Sequence, residues 1–109
     1  MASSFKVLGQ SNPAATTQTT LYTTPAATSA VVSTITICNQ AATSATYRIA
    51  VQKAGATLSA QQYIAYDVTV GANDTTALTL GITLATTDVI SVYASTTTLS
   101  FQAFGNEIS

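Results

Sequence analysis

The amino-acid sequence predicts an all-β fold, an antiparallel β-sandwich of the jelly-roll or immunoglobulin-like type with seven to eight short strands. Three observations lead to this prediction. Apolar and polar residues alternate in short stretches, these stretches recur about every 8–12 residues, and no part of the chain shows the apolar stripe of an amphipathic helix. Many short strands at this spacing are typical of sandwiches and jelly rolls.

The central part of the chain contains the clearest strand patterns, over residues 31–38, 45–52 and 62–70. In each stretch, alternate residues fall on one face of a strand. These faces consist of Val31, Ser33, Ile35 and Ile37 in the first stretch, Ala45, Tyr47, Ile49 and Val51 in the second, and Ile64, Tyr66, Val68 and Val70 in the third. Because Tyr47 and Tyr66 lie on apolar faces, we expect both rings in the core.

Shorter alternating stretches predict the remaining strands. They cover residues 19–23, 76–82, 89–93 and 99–104, and residues 5–10 are the candidate for an eighth strand. Turn-forming residues separate these stretches, most clearly in the Gly-Ala-Asn-Asp segment at 71–74, because Gly, Asn and Asp tolerate left-handed backbone angles.

The N-terminal part of the chain is expected to be an arm. Residues 12–18 lack periodicity and large side chains, so residues 1–18 are interpreted as an arm with an extended connector and residues 19–109 as a single sandwich domain. The arm can pack on its own sandwich or be held by a neighbouring chain. In the second case Phe5, Val7 and Leu8 would contact the neighbour, and deletion of residues 1–11 would leave the sandwich folded.

The chain carries very little charge. Lys and Arg together number 3, Asp and Glu number 4 and His is absent, so 6% of residues are charged where an ordinary domain has about 25%. The net charge of -1 provides no field that would attract phosphate groups or anionic lipid. We therefore expect neither nucleic acid nor a membrane among its partners, and the apolar runs are far shorter than the ~20 residues of a membrane span.

Catalytic and metal-binding patterns are missing from the sequence. The four carboxylates are spread along the chain, and no His is present to act as a general base or as a soft metal ligand. Asp74 and Asp88 stand beside turns, where turn stabilisation is their usual role. The single cysteine, Cys38, cannot form an internal disulfide and fits a small strand position. We therefore expect a protein that is not an enzyme, with no catalytic residue, no metal site and no cofactor.

An uncharged surface favours association between chains. Ser and Thr occupy 33 of the 109 positions, so the exterior is polar but lacks the charge repulsion that keeps proteins apart. Interface centres are depleted in charge because desolvating an unpaired charge is costly. The candidate interface residues are Phe5, Val7 and Leu8 in the arm and three tyrosines whose orientation the pattern leaves open, Tyr22, Tyr63 and Tyr93.

Segments along almost the entire chain carry a family resemblance. They are residues 5–11, 20–25, 29–34, 38–39, 47–51, 73–75, 80–84, 88–94 and 104–108. In these segments the sequence resembles small virion structural proteins of tailed bacteriophages, particularly those that infect cyanobacteria. The segments are structural rather than catalytic, so the resemblance implies membership of the virion and leaves a head or tail location open.

The resemblance implies a non-enzymatic β-sandwich present in many copies on the virion and made in the host cytoplasm, in keeping with the lack of a hydrophobic signal region. The first interpretation is a capsid cement or decoration protein, a dimer or trimer that bridges copies of the major capsid protein on the capsid surface. A tail, collar or fibre-associated subunit, with tail or collar proteins as partners, is the alternative. A polysaccharide-binding module that assists adsorption is a third hypothesis, and it requires a shallow aromatic groove.

Overall fold

The computed structural model describes residues 2–109 and contains eight β-strands. They are β1 (Ser3–Ser11), β2 (Thr19–Thr23), β3 (Ser29–Asn39), β4 (Ala45–Gln52), β5 (Tyr63–Val70), β6 (Thr75–Leu84), β7 (Val89–Ala94) and β8 (Leu99–Ile108). Two single-turn 3-10 segments, Lys53–Gly55 and Ala60–Gln62, lie in the connection between β4 and β5. Every stretch in which alternation predicts a strand forms one, so the predicted all-β fold is confirmed.

The eight strands form two four-stranded antiparallel sheets. The first sheet has the order β1-β8-β3-β6, and the second has the order β2-β7-β4-β5. The chain thus pairs β1 with β8, β2 with β7, β3 with β6 and β4 with β5, as in a long hairpin that is folded over onto itself. This nesting of strand pairs in two sheets is the jelly-roll arrangement, which decides between the two predicted types of sandwich.

An apolar core fills the space between the sheets. Alternate residues of β4 and β8 face this core, as their sequence patterns predict. Tyr47 of β4 meets Phe101 of β8 edge to face, with 6.2 Å between the ring centroids, and both rings are buried. Aromatic pairs favour this geometry because the positive edge of one ring faces the negative face of the other. Tyr47 therefore occupies the core position expected for it and connects the two sheets.

Three strands of the first sheet bulge at the same level. In β1 the extra residue is Leu8, which has no partner in β8, and in β3 it is Ser33, which has no partner in β8 either. The bulge of β6 lies beside Gly81, where β6 has one residue more than the paired strand β3. Gly81 has a φ of +63°, a left-handed angle that glycine adopts without strain. Each extra residue shifts the alternation of its strand by one position, so a continuous pattern in the sequence does not stay on one face.

The bulge in β3 corrects the face predicted for that strand. The alternating pattern predicts one common face for four residues, namely Val31, Ser33, Ile35 and Ile37. In the structure Val32 is completely buried before the bulge and Ile35 is completely buried after it, whereas Val31 faces outward. The Ser33 hydroxyl donates a hydrogen bond to the carbonyl oxygen of Phe104 at 3.1 Å, which stabilises the irregular position.

Bulges in β5 overturn the orientation expected for Tyr66. Between the paired positions Val68 and Ala65, β5 has one residue more than β4, and Asp67 within this interval has a φ of +52°. Tyr66 is 56% exposed rather than buried, and its neighbour Ile64 is exposed as well. The prediction of a core Tyr66 is wrong because it extended a strict two-residue period through an irregular strand.

The N-terminal segment is a strand of the sandwich, which corrects the division into an arm (residues 1–18) and a domain (residues 19–109). Residues 3–11 form β1 and pair with β8 along the strand. The connector is also held in place, because the side-chain amide of Asn12 donates to the carbonyl oxygens of Thr97 and Leu99 at 2.9 and 2.7 Å. Deletion of residues 1–11 would therefore remove an edge strand rather than a separable arm.

We expect Gly105→Ala to lower the free energy of unfolding by about 2 kcal/mol or more, because the new methyl group has no room. A Cβ at Gly105 would lie 2.0 Å from the backbone carbonyl oxygen of Val31, and backbone atoms cannot rotate away. Gly71→Ala is the matched control, since a Cβ at that position meets no atom closer than 3.7 Å. Urea denaturation measures both variants, and equal midpoints would contradict this account of Gly105.

Candidate functional site

An apolar patch lies on the outer face of the first sheet and consists of Phe5, Val7, Val31 and Phe104. Residues that pair across neighbouring strands point to the same side of a sheet. Phe5 pairs with Asn106 and Val7 with Phe104 on β8, and Val31 of β3 pairs with the same Asn106. Since the next residue along β3 is completely buried in the core, this row of side chains faces outward.

The apolar patch exposes two of the six candidate interface residues. Phe5 is 82% exposed and Val7 is 48% exposed, while Val31 and Phe104 are partly buried beside them. Phe5 is the most exposed large apolar side chain of the described residues. The patch contains no charged side chain, because the intervening Lys6 of β1 points to the opposite side of the sheet, toward Glu107.

Two other candidate interface residues face inward. Leu8 stands at the bulge of β1 and packs against the core. Tyr22 is 7% exposed, and a bulge in β2 directly before it places its ring between the sheets. Tyr22 presents no surface to a partner, so its assignment as an interface residue is corrected, whereas Leu8 is only partly buried and its assignment stays a prediction.

A cluster of three tyrosines and one arginine lies on the outer face of the second sheet. It contains the remaining candidates, Tyr63 and Tyr93, together with Tyr66 and Arg48. The rings of Tyr63 and Tyr66 meet edge to face with 4.9 Å between their centroids. The guanidinium group of Arg48 lies 4.2 Å from the ring centroid of Tyr66 and 4.2 Å from that of Tyr93, a distance at which cation–π attraction is effective.

Arg48 is held in the tyrosine cluster by a two-point contact with Asp67. Its Nε donates to Oδ1 of Asp67 at 2.7 Å, and a terminal guanidinium nitrogen donates to Oδ2 at 3.3 Å. This hydrogen bonding to a carboxylate raises the pKa of Arg48 above its ordinary value, so the guanidinium stays protonated. Because the two charges compensate each other, the cluster is ordered but has no net charge.

A shallow groove, called the tyrosine groove below, runs along the cluster. One hollow of about 240 Å³ is lined by Ala50 and Ser91 between the rings of Tyr63 and Tyr93. A second hollow of about 480 Å³ lies on the other side of Tyr63. Tyr63 and Leu58 line both hollows, so the two are adjacent. The groove exists because small residues on β4 and β7 stand between large rings on the same face.

Neutral polar groups line the first hollow and its rim. The amide of Gln18 donates to Oε1 of Gln52 at 3.3 Å, and the hydroxyl of Ser91 donates to the same oxygen. The amide of Gln52 is itself bound to the carbonyl oxygen of Ala56 at 2.9 Å. Within residues 2–109, the carbonyl oxygen of the Gln18 side chain and the hydroxyl groups of the three clustered tyrosines make no hydrogen bond. These groups are therefore free to bind a ligand.

A second ionic cluster closes the open edge between the two sheets. Nζ of Lys6 lies 2.6 Å from Oε1 of Glu107, and the hydroxyl of Tyr22 donates to Oε2 of the same carboxylate at 2.5 Å. The hydrogen bonds from Lys6 and then Tyr22 lower the pKa of Glu107. Burial and the adjacent carboxylate raise the pKa of Tyr22. The cluster links β1 and β8 of the first sheet to β2 of the second, so its role is structural.

The remaining carboxylates stabilise turns. Asp88 accepts backbone N–H groups from Ala54 and Ala85 at 2.8 and 2.9 Å, which lowers its pKa. Asp74 accepts the N–H of Thr75 at 2.8 Å. Among residues 2–109, no three His, Cys, Asp or Glu side chains come together as metal ligands. In the same part of the chain, no helix has the length and apolar character needed to cross a membrane.

No protein-family model, curated protein or solved structure matches this chain. The apolar patch and the tyrosine groove are therefore interpreted from their own geometry and chemistry.

The sequence pattern did not identify Arg48 and Tyr66 as surface residues of a common site. A usable signal was present, because Arg48 and Asp67 carry opposite charges on polar faces of two consecutive predicted strands.

We expect Glu107→Gln to lower the free energy of unfolding by about 1 kcal/mol at neutral pH, since Gln still accepts from Tyr22 but no longer attracts Lys6. The lowered pKa of Glu107 adds stability that is fully present above the ordinary value of 4.5 and is lost as the pH falls through the folded-state pKa. The variant should therefore lose stability less steeply below pH 4.5. Urea denaturation of both proteins at pH values above and below 4.5 tests this prediction. Parallel curves of unfolding free energy against pH would contradict it.

Arg48→Ala should loosen the tyrosine cluster, because the guanidinium group is the common neighbour of Tyr66 and Tyr93. The chain has no Trp, so its intrinsic fluorescence comes from tyrosine. We expect acrylamide to quench this fluorescence more strongly in the variant than in the original protein. Lys53→Ala, which removes a cation outside the cluster, is the control and should leave quenching unchanged. Equal quenching in all three proteins would show that Arg48 does not order the rings.

Proposed function

We propose that this protein is a structural subunit of a tailed-phage virion, and that it acts as a cement protein that binds across neighbouring capsid subunits through the apolar patch. The observation that carries the proposal is the exposure of Phe5, the most exposed large apolar side chain of the described residues, beside Val7, Val31 and Phe104. Exposed apolar side chains grouped in this way, here around the polar Asn106, are costly to leave in water and are typical of binding sites for other proteins.

Burial of the apolar patch supplies the binding energy in this proposal. Complete burial of a large apolar side chain contributes on the order of 1.5–3 kcal/mol; Phe5, which is 82% exposed, has most of that contribution still available, and Val7, which is 48% exposed, has about half. The net binding free energy of each copy would be modest, because the entropic cost of association is subtracted from it. Many copies on a symmetric particle would make the stabilisation additive, which is how a small subunit can reinforce a large shell.

The edge strand β1 provides a second means of contact. Its outer side has no neighbouring strand in the first sheet, so its backbone N–H and C=O groups can pair with a strand of a partner. The charged side chain of β1, Lys6, points inward to Glu107 and does not block this edge. A partner strand on β1 would also cover Phe5 and Val7, so both contacts belong to one interface.

The fold is compatible with this role. Jelly rolls occur in viral capsid domains and in lectins, but a fold shared by several functions supports a function only by analogy. The near absence of charge and the resemblance to small virion structural proteins add to the analogy. A tail, collar or fibre-associated subunit would use the same patch on a different partner, so location on the particle separates the two roles.

The test uses phage particles that lack the protein, mixed with the purified protein and imaged by particle averaging. A cement protein should occupy the head symmetrically and saturably. Phe5→Ser and Val7→Ser should each weaken binding by about tenfold or more without changing the unfolding midpoint, because both side chains are exposed in the free protein.

Val68→Ser is the matched control, since Val68 is 40% exposed on the edge strand of the other sheet. Its binding should equal that of the original protein. Density confined to the tail or collar would replace cement with the alternative virion role. No binding to any part of the particle would overturn the proposal.

A further inference from the structure

The tyrosine groove has features that the apolar patch and a cement role do not use. It lies on the outer face of the second sheet, whereas the apolar patch lies on the outer face of the first. Rings that serve only the core of a protein are buried, but Tyr66 is mostly exposed and Tyr63 and Tyr93 are partly exposed. Asp67 fixes the guanidinium group of Arg48 by hydrogen bonding, and this group holds the rings of Tyr66 and Tyr93 by cation–π contacts. None of these contacts covers the groove.

The charge of the groove restricts the ligand to neutral compounds. Arg48 is the single charged residue among those that line the two hollows within the described chain. Its charge is already compensated by the carboxylate of Asp67, whose oxygens lie 2.7 and 3.3 Å from the guanidinium nitrogens, so a phosphate or sulfate group would add an uncompensated negative charge to the groove. The groove therefore offers neither an uncompensated positive charge to an anionic ligand nor an uncompensated negative charge to a cationic one.

The remaining lining combines flat apolar surfaces with neutral hydrogen-bonding groups. The ring of Tyr63 separates the two hollows and presents its surface to both. The free tyrosine hydroxyls and the side-chain oxygen of Gln18 are neutral donors or acceptors near these ring surfaces. A sugar ring matches this lining, because one of its faces exposes C–H groups that pack on an aromatic ring while its edge carries hydroxyl groups.

We infer that the tyrosine groove binds a neutral oligosaccharide, with sugar rings packed on either side of Tyr63. The two adjacent hollows of about 240 and 480 Å³ lie within or just below the roughly 300–1,000 Å³ range of small-ligand sites, so together they accommodate more than one sugar. The groove is shallow, so hydrogen bonds and ring contacts on one side only would give weak binding per site. This inference does not depend on the virion role.

The experiment titrates the intact protein with short oligomers of glucose, galactose, mannose and N-acetylglucosamine, and with heparin as an anionic probe. Tyrosine fluorescence and NMR chemical shifts are the readouts, since three of the five tyrosines belong to the cluster. At least one neutral oligomer should bind with a Kd tighter than about 1 mM, and more tightly than heparin. Tyr63→Ala should weaken that binding by at least about tenfold.

Two further variants keep the outcome interpretable. Gln18→Ala removes only a rim group and should weaken binding by about threefold, even if the ring deletion disturbs folding. Phe5→Ser alters the apolar patch on the opposite sheet and should leave sugar binding unchanged, which separates failure of this inference from failure of the cement role. Absence of binding to every neutral oligomer, tighter binding to heparin, or unchanged binding in Tyr63→Ala would each overturn the inference.

Discussion

The aligned bulges of the first sheet are the constraint on which the surface chemistry of this protein depends. Extra residues in β1, β3 and β6 lie at one level of the sheet, opposite a β8 strand that alternates without interruption. Because each bulge changes which residues face the core, β3 and β6 keep an apolar inner side both before and after the bulge. The same shift leaves Phe5, Val7 and Val31 on the outer side, where they form the apolar patch with Phe104.

The few charges of the chain are used to hold structure. Lys6 is paired with Glu107 and Arg48 with Asp67, while Asp74 and Asp88 accept backbone N–H groups at turns. Lys53 remains, and it lies close enough to Asp88 to favour the charged carboxylate. The apolar patch and the tyrosine groove consequently carry no unpaired charge, and both can be dehydrated at low cost.

The two surfaces lie on opposite sheets of the sandwich, and this arrangement makes the two proposals compatible. A subunit that docks through the outer face of the first sheet and the edge of β1 leaves the outer face of the second sheet turned away from the partner. The tyrosine groove would then face the surroundings of the particle. A jelly roll is suited to this division because its two outer faces are separated by the full thickness of a packed core.

The sequence by itself determined the strands, the all-β class and the neutral character of the exterior. Alternation over β4 and β8 identified their inner faces correctly, because these strands contact the core through uninterrupted runs of alternate residues. It did not reveal that residues 3–11 pair with β8, since pairing partners 90 to 105 residues away leave no local signal. Tertiary structure alone decided the bulges, and with them the exposure of Tyr66, the burial of Tyr22 and the meeting of Arg48 with Tyr93. The physical reason is that a bulge depends on the register between neighbouring strands, which is set by how whole strands pack and is not encoded in the residues of one strand.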